Sequence, residues 1–98
     1  MKKCNIKDVG VKYLSEANLT KLQHLNLNNN YIGKNGAKHL SQANFPNLET
    51  LNMKKNNIED EGLRHLSNAN FSNLNSINLS ENNISNLGIL YLTSSKLF

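Results

Sequence analysis

The feature that most limits what this chain can become is an internal repeat of 26 residues whose length never changes. Leu22-Gln23-His24-Leu25-Asn26-Leu27-Asn28-Asn29-Asn30-Tyr31-Ile32 returns as Leu48-Glu49-Thr50-Leu51-Asn52-Met53-Lys54-Lys55-Asn56-Asn57-Ile58, and again as Leu74-Asn75-Ser76-Ile77-Asn78-Leu79-Ser80-Glu81-Asn82-Asn83-Ile84. Cys4-Asn5-Ile6 occupies the last three positions of a truncated earlier copy. The other half of the unit keeps the same register, with Gly10, Gly36, Gly62 and Gly88 in one column and Leu14, Leu40, Leu66 and Leu92 in another. Ala17, Ala43, Ala69 and Ser95 follow. Such a unit cannot bury its apolar side alone, so the chain is expected to fold as a stack of coils in which each covers its neighbour. The 98 residues divide into a partial repeat, 1–21, and three further repeats, 22–47, 48–73 and 74–98, forming a single domain.

The pattern L-x-x-L-x-L-x-x-N-x-I resembles the leucine-rich repeat signature and spans nearly the whole chain. The segment that follows it, I-x-x-x-G-h-x-x-L-S-x-A-N, resembles the helical half of ribonuclease-inhibitor-like repeats. The compact 26-residue unit is also similar to repeats of bacterial effector proteins such as the GALA group. The resemblance implies an α/β solenoid: a short curved horseshoe segment with a parallel concave sheet and convex helices. It further implies a protein-binding scaffold, within an effector that works in the cytoplasm or is delivered to a host cell cytosol.

The residues give the same architecture on physical grounds. Side chains alternate along a strand, so Leu25 and Leu27 face one way while His24, Asn26 and Asn28 face the other. Gly10, Val11, Leu14 and Ala17, and likewise Gly36, Ala37, Leu40 and Ala43, recur at the three- and four-residue offsets of a buried helical stripe. Asp8, Asp60 and Asn86 precede the glycines, where a side-chain oxygen can cap the first turn, and Lys34 breaks that column. Asn18, Asn44 and Asn70 stand where the helices are expected to end in a left-handed residue. A buried amide costs free energy unless its donors and acceptor are matched. The Asn30, Asn56, Asn82 column therefore predicts a ladder in which each side chain bridges its own turn and the next coil. Leucine-rich repeats accept Cys in that column, which makes Cys4 a small buried residue.

Function is constrained mainly by exclusion. Ser15, Ser41 and Ser67 recur because the repeat recurs, and no nucleophile, base and donor set converges at one place, so no enzyme activity and no cofactor are expected. Gly33 and Gly36 lack the Gly-Lys-Ser element of a phosphate loop. Tyr13, His39, His65 and Tyr91 share a column but lack a third convincing ligand, so no metal is expected. The chain carries a net charge of +4, yet only Arg64 among its eleven basic residues is arginine. That composition disfavours nucleic-acid recognition, with Lys2, Lys3, Lys54 and Lys55 as its only candidate contacts. No apolar run approaches the ~20 residues needed to cross a membrane, and the single Cys4 fits a reducing compartment. What remains is a partner-binding concave face built from His24, Thr50 and Ser76, from Asn26, Asn52 and Asn78, and from Asn28, Lys54 and Ser80, flanked by Asn29, Lys55 and Glu81. Met1 and Phe98 leave no polar capping repeat, and Leu87, Leu90 and Tyr91 replace Glu61, Arg64 and His65 of the preceding unit. The ends are thus expected to meet further repeats or to self-associate. The core assignment carries its own test: Leu51→Ala or Leu66→Ala should cost about 2–5 kcal/mol in chemical denaturation, and an unchanged midpoint would contradict it.

Overall fold

The computed structural model describes residues 5–93. Helices and strands alternate as α1 (Lys7–Glu16), β1 (His24–Asn26), α2 (Lys34–Ser41), β2 (Thr50–Asn52), α3 (Glu59–Leu66), β3 (Ser76–Asn78) and α4 (Asn86–Thr93). The strands form one parallel sheet in the order β1-β2-β3, with Leu25 opposite Leu51 and Leu51 opposite Ile77. Each helix packs on the next in chain order. This is the leucine-rich repeat solenoid the sequence predicts. Cys4 and the flanking Met1, Lys2, Lys3, Ser95, Lys96 and Phe98 lie outside the described residues.

Three residues make a short strand, but hydrogen bonding between coils runs well past it. The amides of Leu27 and Asn29 donate to the carbonyls of Asn52 and Lys54, at 2.7 and 2.9 Å, and those of Met53 and Lys55 donate to Asn78 and Ser80. Farther along, Asn57 donates to Ile32 at 2.7 Å and Glu59 to Asn82 at 2.9 Å. Leu25, Leu27, Leu51 and Met53 turn inward to meet Ala37, Leu40, Leu63 and Leu66 from the helices, and all are buried in one continuous core. The helices can approach because the column at Gly62 carries no side chain: a Cβ there would meet Ile58 Cγ2 at 2.6 Å and the Lys34 backbone at 3.2 Å.

The asparagine ladder is present, and its direction differs from expectation. Asn56 Oδ1 accepts from the amides of Asn30 (2.9 Å) and Ile32 (3.0 Å), while its Nδ2 donates to the carbonyls of Leu27 and Met53, both at 2.9 Å. The bridge therefore reaches back to the preceding coil rather than forward. Asn82 repeats it, accepting from Ile58 and donating to Met53 and Leu79. Asn30 accepts from Ile6 and donates to Asn28.

Two other expectations are overturned. Asp8 and Asp60 do not cap their own helices, since the residues preceding α1 and α3 are Ile6 and Ile58, neither with a side-chain capping bond. Each carboxylate instead reaches forward to the next coil. Asp8 Oδ1 accepts from the Gly33 amide at 2.7 Å, and Asp60 accepts from the Ser85 amide at 2.8 Å and from the Ser85 hydroxyl. Asn86 is the first residue of α4 rather than a cap before it. Nor do Asn18, Asn44 and Asn70 take left-handed conformations. The positive φ values fall instead just before or at the helix starts, on Asn5, Lys7, Tyr31, Glu59 and Asn83, and at the strand exits, on Asn29 (58°), Lys55 (59°) and Glu81 (57°). The chain must turn there to bring the ladder asparagine inward, and the helices end earlier, by ordinary backbone.

Phe45 and Phe71 form a second buried spine, stacked with centroids 6.4 Å apart and planes 13° off parallel. Beside them Asn47 and Asn73 donate to the carbonyls of Thr20 (2.6 Å) and Pro46 (2.9 Å), one coil back. The ladder can be probed by charge. Asn56→Asp keeps the accepting oxygens but sets a carboxylate against two carbonyls, which costs at least about 2 kcal/mol near neutral pH. Burial and those carbonyls raise the folded-state pKa of the new acid above its unfolded value. The penalty is therefore full above the raised pKa and shrinks as pH falls through it. Urea titrations of the native chain and variant should show a stability gap that narrows from pH 7 to pH 4; a gap independent of pH would contradict the ladder geometry.

Candidate interaction surface

The predicted surface residues are brought together as predicted in position. Parallel register sets His24 beside Thr50 and Thr50 beside Ser76, and does the same for Asn26, Asn52 and Asn78. With strands about 4.8 Å apart, the residues form columns running across the sheet on the face away from the core. His24, Asn26, Ser76, Asn78 and Ser80 are exposed, while Asn28, Thr50, Asn52 and Lys54 are half-buried. No aromatic or arginine side chain stands among them.

What the structure adds is that several of these groups are already occupied. Asn26 Oδ1 accepts from the Asn28 amide at 3.0 Å, and Asn78 Oδ1 accepts from both the amide and the hydroxyl of Ser80, at 3.0 and 2.8 Å. The Lys54 amide donates to Asn28 Oδ1 at 2.9 Å and to Asn52 Oδ1 at 3.3 Å. The column therefore shapes the strand exit through its oxygens, while its amide nitrogens have no hydrogen-bond partner among the described residues. His24 Nδ1 lies 2.8 Å from Thr50 Oγ1, a side-chain pair that links the first two strands on the open face.

Charge varies along the rim. The flanking column runs from neutral Asn29 to cationic Lys55 to anionic Glu81, and Lys54 adds a second cation on the middle coil. On the helical side the charges pair between coils. Lys34 Nζ lies 3.2 Å from Glu61, which also meets Arg64 at 3.8 Å. That bond and the Lys34 charge hold the Glu61 carboxyl below its ordinary range. Asp60 is lowered as well, chiefly by the Ser85 hydroxyl and amide. Within the acidic run Glu59-Asp60-Glu61, the carboxylates of Asp60 and Glu61 thus serve neighbouring coils. Burial, and behind it Arg64 and Lys38, lowers the His65 imidazole. Among the described residues no group of His, Cys, Asp and Glu is placed to hold a metal ion.

At the last coil a depression of about 510 Å³ is lined by Leu63, Ile77, Leu79, Ile84 and Ile89, with Ser80, Glu81, Asn82 and Asn83 at its edge. Leu87 and Leu90 stand exposed on α4 nearby. No helix among the described residues is long and apolar enough to cross a membrane.

The carboxamide roles can be separated from any binding role by substitution. Asn78→Ala should lose about 0.5–1.5 kcal/mol in thermal or urea unfolding, because Ser80 loses its acceptor, whereas Asn78→Asp should retain most of that stability. Equal stability of all three proteins would show that the oxygen contributes nothing.

No curated protein matches the chain closely enough to be named as a relative. The sequence profile described as Leucine Rich repeat matches residues 18–41, 46–67 and 72–92, which together make up well over half of the 98 residues. Each matched segment includes one strand and all or nearly all of the helix that follows it, the 26-residue coil that the geometry defines, and the chain belongs to the leucine-rich repeat family.

Proposed function

We propose that this chain is a protein-recognition scaffold whose contact surface is the open face of the sheet, centred on His24, Thr50 and Ser76 and on Lys54 and Ser80. Leucine-rich repeats generally mediate protein–protein interaction. The observation that carries the reading here is the set of polar columns held in register on an uncovered sheet face. A parallel sheet is ordinarily covered on both faces, so three strands with polar outward residues present a surface for another molecule. Asn26, Asn52 and Asn78 contribute through their outward amide nitrogens. The scaffold works without catalysis or a cofactor. The likeness of its compact unit to bacterial effector repeats supports a role in an effector, acting in a cell's cytoplasm or in the cytosol of a host.

A second reading has one observation behind it. The apolar depression at the last coil, with exposed Leu87 and Leu90 beside it, favours a solenoid segment that joins further repeats or another copy of itself. One experiment separates the two. A tagged chain is incubated in eukaryotic lysate supplemented with an untagged copy and compared with a Thr50→Arg, Lys54→Glu, Ser76→Arg variant, circular dichroism confirming equal folding. These positions spare the carboxamides that shape the strand exit. Recovery of a lysate protein by the native chain alone supports the sheet face, at an expected loss of tenfold or more in the variant. Recovery by both proteins places binding elsewhere, and recovery of the untagged copy alone favours self-association.

A further inference from the structure

We infer that Tyr31 is the anchor of the partner contact and that it seats in an apolar notch flanked by carboxylates on a protein partner. The inference rests on the reading of the sheet face above and extends that face onto its rim. Tyr31 breaks a column. The equivalent residues are Asn5, Asn57 and Asn83. Where two asparagines meet across coils they bond, Asn83 Nδ2 donating to Asn57 Oδ1 at 2.7 Å, and Tyr31 forgoes that bond.

The backbone makes the substitution more costly. Tyr31 has φ of 57°, in the left-handed region that Asn5 (55°) and Asn83 (57°) also adopt. Asparagine enters that region readily, whereas a bulky aromatic residue does so at a strain of order 1 kcal/mol. Nothing in the coil offsets it. The side chain is 68 % exposed, and its hydroxyl has no hydrogen-bond partner among the described residues. Ile32 and Asn30 on either side are fully buried, so the backbone that carries the ring is held rigidly. An exposed, strained, unbonded aromatic on a fixed backbone adds nothing to this fold, and its chemistry is that of an interface anchor.

Its surroundings define the partner. Tyr31 follows the strand exit of the coil next to Lys54 and Lys55, and the sheet face itself has no aromatic or arginine to supply a dominant contact. The Lys54 carbonyl bonds to the Asn29 amide, two residues before Tyr31, so the adjoining coil brings two cations to the same rim, and that rim fits an aliphatic side chain with acidic neighbours, while the polar columns exclude water around it. Tyr13 is a natural control. It is 67 % exposed, but it lies within helix α1 with ordinary helical backbone.

The test selects 12-residue peptides from a random displayed library on the immobilised native chain, then measures the recovered peptides in solution. Peptides with an apolar residue flanked by Asp or Glu are expected to lose at least tenfold in affinity on Tyr31→Asn, to keep it on Tyr31→Phe, and to be indifferent to Tyr13→Asn. Tyr31→Asn should melt no lower than the native chain, since asparagine fits the backbone and can bond to Asn57. A lower melting temperature would assign Tyr31 a structural role, and unchanged affinity or a selection that yields no peptide would equally overturn the inference. The Thr50→Arg, Lys54→Glu, Ser76→Arg variant distinguishes the two readings. Dependence on those residues but not on Tyr31 sinks the anchor alone, and dependence on Tyr31 alone sinks the sheet face.

Discussion

The fold depends on one buried carboxamide per coil. Each coil closes with a turn whose amides and carbonyls point inward, where no water can satisfy them. Asn56 resolves this by accepting two amides of the preceding coil and donating to one carbonyl of that coil and one of its own. The same side chain thus satisfies a turn and fixes the offset between turns. A shift of one residue in either coil would leave several buried polar groups unpaired at once. The constant spacing within the strand turn follows from this, because an insertion there would break the bridge to its neighbour.

The other links between coils obey the same rule. Asp8 to Gly33, Asp60 to Ser85, Lys34 to Glu61, Asn47 to Thr20 and Phe45 to Phe71 all connect adjacent coils and none farther apart. Stability is then a sum of neighbour terms, and among the described residues the first and last coils meet a neighbour on one side only. Burial records the difference. Leu25, Leu27, Leu51 and Met53 are buried, whereas Ile77 and Leu79, their equivalents in the last coil, are only partly so. Exposed ion pairs such as Lys34 to Glu61 add little strength. Their contribution is to choice of neighbour: where Lys34 interrupts the acidic column, Glu61 of the next helix supplies the opposite charge.

How much of this was legible in the sequence follows from what periodicity encodes. A fixed period reports which residues are equivalent, so the strand face, the glycine column, the helical stripe and the buried asparagines could all be placed from it. It does not report direction. The caps expected at Asp8 and Asp60 sit one coil away because a carboxylate near a helix start can serve either its own helix or the next, and spacing alone cannot distinguish them. The left-handed turns were expected after the helices at Asn18, Asn44 and Asn70 and occur after the strands, partly on Lys55 and Glu81, whose residue types give no such signal. The Phe45 and Phe71 spine and the Asn47 and Asn73 bonds were legible in principle, as pairs 26 apart in the loops.

The abundance of asparagine bears on where recognition can reside. Twenty asparagines in 98 residues first read as a polar contact surface, yet half of them bond to backbone through their side chains, chiefly in the ladder, at the strand exits, or in the loops before β2 and β3. A residue that recurs in every coil is explained by the need to build that coil. Specific recognition requires positions that differ between coils, since identical columns would bind in any register. Such positions lie in the His24, Thr50, Ser76 row, in the Asn29, Lys55, Glu81 row with its change of charge, and at Tyr31. On the proposed reading, the departures from the repeat carry the information a partner reads, and the repeat itself holds them at fixed spacing.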